Sequence, residues 1–564
     1  MKKISIIIFG ALTLTSCSDF LDILPLNDVV LENYWTQKSD VTSVVNACYQ
    51  SLESTDCIKR MAVWGEMRSD NIIAGSATPN EETEILKENL LPNSSYCQWT
   101  AFYQTINRCN TVCHYAPIVQ QKDPNYTENE MKANIAEASA LRDLCYFYLI
   151  RTFRDVPYTT LPSIDDTENY KLPASKFDDV LDSLITDLES VKDNAVKRYY
   201  TDDSEKSYYN TSHITRYNIY AILADMYLWK QDYDNCIKYC NLIIDYKKKQ
   251  YEDQKAKSGL SFDINLYNGY PLIKEIADGS VASGHAYNEI FGQGNSFESI
   301  FELYFQSNQS VTNTFISSYY GNSSNSTGYL SAPSFLFKDV FSGGNSIFKN
   351  TDCRVLESMQ SASSKYPITK YVRQNVSFNN SNTSSTTQPV VTSSVRSTSY
   401  ASWIIYRLSD IMLMKAEALV EKMRSASADS AVNNYKQAFS LVQAVYKRAN
   451  NITLSTRTDT LVFSNYGGSR TAMENIILLE RQRELLFEGK RWYDLVRLAR
   501  REKTNSRLVS YVLNKYEDNT NAIKIKLSAP DILYFPYSES ELKVNPKLTQ
   551  NPAYNTGENQ EINH

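Results

Sequence analysis

Ten cysteines and four histidines are the residues of this 564-residue chain that most readily do chemistry, and their spacing decides which chemistry is open to them. Cys109 and Cys113 stand four residues apart, as do Cys236 and Cys240. There are no paired C-x-x-C sets, so neither a zinc ribbon nor a dense disulfide framework is indicated. On helices these pairs read first as small core residues. His114, His213, His285 and His564 are scattered and give one another no partner for a metal. The H-E-x-x-H, G-x-S-x-G, Walker A and G-x-G-x-x-G patterns are absent, and the two glycines of "FGQGNSFE" (291–298) are a weak loop signal. Glycoside hydrolysis needs two carboxylates held about 5 to 10 Å apart. Nothing among the 64 acidic residues points to such a pair. The expectation is a protein that is not an enzyme and carries no cofactor or metal.

One cysteine stands apart. Lys2 and Lys3 precede an apolar run from Ile4 to Leu14, too short to span a bilayer, and Leu14-Thr15-Ser16-Cys17 follows. A charged start, a short apolar core and a small residue before a cut mark a secretory signal. The last four residues resemble a bacterial lipobox, whose cysteine is diacylated after cleavage. Residues 1–16 are therefore expected to be a lipoprotein signal peptide and Cys17 the lipidation point, holding the protein on a membrane. No second apolar run reaches 18 residues. The chain is acidic, with a net charge of −6 and a pI near 5.6, which argues against nucleic acid and anionic headgroups as partners.

Helical periodicity dominates the remainder. Ile135, Ala138, Leu141, Cys145, Tyr148, Leu149 and Thr152 share one face. Tyr217, Tyr220, Ala221, Ala224 and Leu228 line a first helix, Cys236, Ile237, Cys240, Ile243 and Ile244 a second, with "KQDYDN" as the polar turn between them. Small residues, a short turn and a second amphipathic helix predict a tetratricopeptide-like hairpin, without a clean repeat register. Further helices are predicted at 408–419, 435–449 and, as one continuous element, 473–499. Two stretches rich in Ser, Asn and Thr (306–330 and 374–400) read as loops hung on this frame. The predicted fold class is mainly α: a helical-hairpin scaffold with long irregular loop excursions, in one domain over 17–564.

The C-terminal third is more specific. "NIILLERQRELLFEGKRWYDLVRLAR" (475–500), "YRLSDIMLMKAEAL" (406–419), "VYKRANN" (445–451) and "LYFPYSESELKVNPKLTQNPAY" (533–554) join the lipobox and "AEASALRDLCYFYLIRTFRDVPY" (136–158). Together they closely resemble the SusD/RagB family from Cys17 to about Tyr554. Arg154 stands where that family usually has Gly, and Ala553 where Gly commonly precedes Tyr. The charged residues of these motifs, among them Arg407, Asp410, Glu417, Glu480, Glu484, Glu488, Arg491 and Arg497, read as a structural ion-pair network, since an unpaired buried charge is prohibitively costly.

The resemblance implies a surface-exposed outer-membrane lipoprotein. Such a protein captures oligosaccharide or another nutrient and closes as a lid over a SusC-like TonB-dependent transporter. Sugar rings stack on Tyr or Trp and their hydroxyls seek Asn, Asp, Arg and Lys. Two loop-rich regions, about 67–99 and 260–400, are the expected places for ligand or partner. The residues expected to bind ligand are Asp70, Asn71, Tyr96 and Trp99 in the first and Tyr319, Tyr320 and Tyr329 in the second. Trp99, Tyr103, Ile106 and Asn110 also have helical spacing, which fits a core face. A peptide cargo, a surface glycosidase and a scaffold that touches no nutrient are the alternatives.

Overall fold

The computed structural model describes residues 34–555 except 165–170, 201–206, 259–262, 276–281, 307–310, 343–345, 363–364, 380–387, 398 and 451–459. The signal segment and Cys17 lie outside the described residues. The described chain is helix-rich, 57% helical, with few short strands.

Each helix packs on the next. Lys38–Leu52 lies on Thr100–Lys122, which forms a hairpin with Glu128–Phe153; contact then passes to Phe177–Val191 and Arg216–Lys230. The hairpin read from the sequence is present as Arg216–Lys230 and Tyr233–Ser258, closed by Gln231 in the left-handed region at φ 64°. Ala221, Ala224, Cys236, Cys240 and Ile243 are fully buried along its seam. The second helix packs on Leu408–Glu421, which makes a third hairpin with Ala428–Ala449. Small residues let these helices approach closely, and burial of the apolar stripes supplies most of the stabilisation at about 25 cal/mol per Å².

The Glu128–Phe153 helix differs from the one-faced reading. Thr127 and Glu130 close a capping box at its start, and every residue from Ala136 to Phe153 is buried. Neighbours on several sides make it the central post of the fold. Its buried arginines are paired: Arg142 with Asp143 and Asp187, Arg151 with Asp225.

The predicted helix over 473–499 is two helices, Arg470–Glu484 and Arg491–Glu502. Phe487 (φ 65°) and Gly489 (φ 72°) take left-handed backbone between them. The reason is a close approach. A Cβ on Gly65 would lie 1.8 Å from the Gly489 carbonyl oxygen, so both segments are kept bare where they meet. Arg154 also occupies the left-handed region, at φ 69°, the conformation for which glycine is the usual choice, and its guanidinium is tied to Asp155 and Asp531. Ala553 sits without strain in the short Pro552–Tyr554 turn.

Residues 374–400 are not a plain loop. Arg373–Asn379 and Val390–Val395 pair as an antiparallel ribbon, with Phe378 opposite Val391 and Val376 opposite Ser393. Val376 and Phe378 alternate inward and are buried, a period-two pattern hidden among the surrounding Ser and Asn. The described cysteines are free thiols, all buried except the half-buried Cys113.

Candidate functional site

The two regions expected to bind ligand meet in space. Ile73–Ala74 pairs antiparallel with Leu330–Ser331, and the Thr78 hydroxyl donates to the Tyr329 carbonyl at 2.6 Å. The aromatic side chains at this junction, however, turn inward. Tyr96 is fully buried; its hydroxyl lies 2.5 Å from that of Tyr319, and both bond the buried Glu82 carboxylate. Phe315 stacks on Tyr319 at 4.6 Å, and Tyr320 donates to the Phe487 carbonyl at 2.8 Å. Burial pushes all three hydroxyls well above the usual tyrosine range.

Asp70 and Asn71 are likewise core residues. Asp70 accepts from Arg491 Nε at 2.8 Å and Nη2 at 3.0 Å, a bidentate pair, and from Gln482 at 3.0 Å. Asn71 donates to Glu66 and accepts from Gln482, both at 2.8 Å. Their polar atoms are committed, so the expectation that Asp70, Asn71, Tyr96, Tyr319 and Tyr320 face a ligand does not fit their placement. Tyr329 is half-buried, edge-on to Tyr319.

The motif charges form the network expected of them. Arg407 spans Glu484 and Glu488; Arg354 joins Asp352, Glu480 and Glu484; Lys370 pairs with Glu488. Asp410 lies between Lys490 and Arg481, and Glu417 between Arg497 and Arg501. Burial alone would raise the Asp410 carboxyl, but Lys490 and Arg481 outweigh it and hold it at about 2. One trio has metal-ligand character: Glu275, Cys353 and Glu357 offer ligand atoms within 4.8 Å of one another. Burial pushes all three toward their protonated forms, and the Cys353 thiol donates to the Ala449 carbonyl at 2.9 Å.

A wide cavity lies a short way along the chain from Tyr96. It holds about 740 Å³, within the range of small-ligand sites. Trp99 caps the Thr100–Lys122 helix and packs against Phe153 and Tyr537, both at 5.3 Å; it lines this cavity with Tyr103 and Ile106 one turn and two turns on. Tyr103 is half-buried and its hydroxyl is anchored on the Pro157 carbonyl at 2.5 Å. Exposed Gln104 and half-buried Asn107 follow on the same helix, and Lys171 and Glu541 face in from two other segments. Burial raises the Glu541 carboxyl, and a hydrogen bond from Trp99 opposes that rise. Asn110 and Asn545 brace the walls by bonding backbone carbonyls of Leu161 and Leu172. Exposed Leu161 and Val544 stand at the rim.

Sequence reasoning brought Trp99 forward but missed Gln104, Asn107, Lys171 and Glu541. The i, i+4 and i+8 spacing from Trp99 through Tyr103 to Asn107 was the available signal; Glu541, near the other end of the chain, gave none.

The frame is mainly helical, of the helical-hairpin class, and carries a wide cavity lined by aromatic and amide side chains. The chain belongs to the SusD family: the model of that description matches residues 221–554, and a second, described as "Starch-binding associating with outer membrane", matches 19–228. SusD-like protein P38 of Formosa agariphila is 25% identical over 585 residues, covering 98% of this chain and 99% of the relative. SusD-like protein P2 of the same organism is 24% identical, covering 88% and 91%. Among solved structures, a SusD superfamily protein of Bacteroides thetaiotaomicron superposes with a TM-score of 0.64 at 17% identity, covering 92% of this chain and all of the other. A surface glycan-binding protein A of Bacteroides uniformis gives 0.60 at 19%, covering 92% and 99%. These likenesses establish the fold. No described helix is long and apolar enough to cross a membrane.

Proposed function

We propose that this protein captures oligosaccharide at the outer membrane, without catalysis, and delivers it as a lid to a SusC-like TonB-dependent transporter, tethered through lipid on Cys17. The observation that carries the reading is the cavity beneath Trp99 and Tyr103. It sets an aromatic wall, suited to the CH face of a sugar, in one lining with Gln104 and Lys171, which suit hydroxyls. The two family models support it, one by a description that names starch binding and outer-membrane association. Glu541 is the one carboxylate lining the cavity among the described residues, whereas glycoside hydrolysis uses two, so capture is favoured over cleavage.

The test is calorimetric titration of the chain from Ser18 onward, which keeps every described residue, against a panel of oligosaccharides. A dissociation constant between millimolar and micromolar, about −4 to −8 kcal/mol, is expected for one glycan class. Exposed Gln104→Ala should weaken it while the unfolding midpoint stays put. Binding that ignores this change would move the site elsewhere. Binding of peptides instead would fit the apolar rim and the Lys171 and Glu541 charges, and would keep the lid reading with another cargo.

A further inference from the structure

A second cavity, of about 150 Å³, opens between the Arg216–Lys230 and Tyr233–Ser258 hairpin and the chain leading into the Ser299–Leu303 strand. Its lining carries three cations, Lys197, Arg198 and Lys247, and no carboxylate among the described residues. Lys197 and Arg198 are exposed at the rim and Lys247 is buried. The Lys247 ammonium donates to the Phe297 carbonyl at 2.6 Å and the Ser299 carbonyl at 3.0 Å, and has no ion pair with a described carboxylate. Arg354, Lys370, Arg407 and Arg448, by contrast, are buried cations that each meet acidic partners.

A second polar atom points to the same need. Gln250 donates through Nε2 to the Tyr246 hydroxyl at 2.9 Å, but its Oε1 is buried with no hydrogen-bond partner among the described residues. A buried acceptor without a donor is unfavourable until something supplies one. Tyr246 and Tyr217 stack face to face at 3.6 Å on the wall. The cavity thus presents positive charge, an unused acceptor and an aromatic pair in a space of about the size that takes a six-membered ring.

We propose that this cavity binds a single sugar ring carrying an oxyanion, a carboxylate or a sulfate ester, whose charge meets Lys247, Lys197 and Arg198 and whose hydroxyl donates to Gln250. The site is separate from the cavity beneath Trp99, and neutral glycans failing there would leave it untouched. Charge on Lys247 sets a pH signature. Burial lowers its pKa to about 7, Arg198 acts the same way and Glu298, itself paired with Arg448 at 3.2 Å, acts against them; the Tyr246 ring lies 6.0 Å from the ammonium. The ammonium is charged below about pH 7 and neutral well above it, so anion binding should weaken from pH 6 to pH 9.

The experiment titrates the chain from Ser18 onward with D-glucuronate, D-glucose 6-sulfate, sodium sulfate and D-glucose at pH 6 and pH 9. One or both acidic sugars should bind at pH 6 at least tenfold more tightly than D-glucose, and whichever binds better identifies the substituent. Lys247→Met should abolish that preference. Should that variant fail to fold, the exposed pair Lys197→Ala/Arg198→Ala should still reduce acidic-sugar affinity about tenfold. Equal binding of D-glucose, no binding of either acid, or full binding by the rim variant would overturn the proposal. Sodium sulfate binding as tightly as the sugars would reduce the site to one for a bare ion and overturn it too.

Discussion

Tyr96 with Tyr319, and Trp99 with Tyr103, are neighbouring aromatic pairs, yet they spend their ring surface in opposite ways. At the first place the hydroxyls are locked to one another and to Glu82, and the rings are sealed by Phe315. At the second, Trp99 is as buried as Tyr319 and packs on Phe153 and Tyr537. The half-buried Tyr103, its hydroxyl anchored on a carbonyl, instead brings ring surface to a cavity of about 740 Å³. Residue type does not separate an available aromatic from a structural one. What separates them is whether neighbouring side chains close over the ring. Glu82, Phe315 and Tyr329 hold Tyr319 at the first place, whereas Tyr103 at the second is left half-buried beside the cavity.

The comparison breaks most visibly if the sealed side is emptied. Tyr319→Ala/Tyr320→Ala should cost several kcal/mol, since truncating one buried aromatic costs about 3–5 kcal/mol, and denaturant unfolding should show a large drop in midpoint. An unchanged midpoint with lost ligand binding would reverse the assignment of the two places. Next comes Asp70→Ala, which strands Arg491 in the core and should cost about 3–5 kcal/mol without selective loss of binding.

Acid unfolding gives a smaller effect of known sign. Asp410 titrates at about 2 in the fold against 3.8 for the free side chain. A lowered carboxyl pKa stabilises above the unfolded value, and the contribution, about 2 kcal/mol, is lost as pH falls from about 4 through 2. Asp410→Asn should flatten that part of the stability profile.

On the open side, Tyr103→Ala should weaken glycan binding about tenfold, or about 1.4 kcal/mol, with the unfolding midpoint moved less than by either core change. Tyr329→Ala, at the half-buried edge, should alter stability by about 1 kcal/mol or less and leave binding in the cavity unchanged. Loss of binding there would return the site to the loop junction.

Much of the frame was legible in the sequence because helices announce themselves by a 3.6-residue period. The seam of Ala221, Ala224, Cys236 and Cys240 is an instance. The break between Glu484 and Arg491 was less so, because the apolar and charged spacing continues across it; Gly489 was the one local sign. The ribbon at Arg373–Asn379 was masked by its polar neighbours. For the site, the sequence brought forward two regions that do meet in space but could not say which way their side chains turn. Orientation is set by partners such as Glu82, Gln482 and Phe487, which are far along the chain from the side chains they hold. Glu541 and Lys171 reach the cavity only through tertiary folding.

The bare contact between Gly65 and Gly489 bears on how the chain comes into being. Glu66 accepts from the backbone nitrogens of Phe487 and Lys490, both at 3.1 Å, and Asp70 closes on Arg491 beside it. The early segment therefore lacks these partners for its buried carboxylates until the ribosome has made nearly the whole protein. Contacts of such long sequence separation form slowly. A nascent chain built this way stays unfinished through most of its synthesis, its core shutting only when about the last tenth of the sequence has arrived.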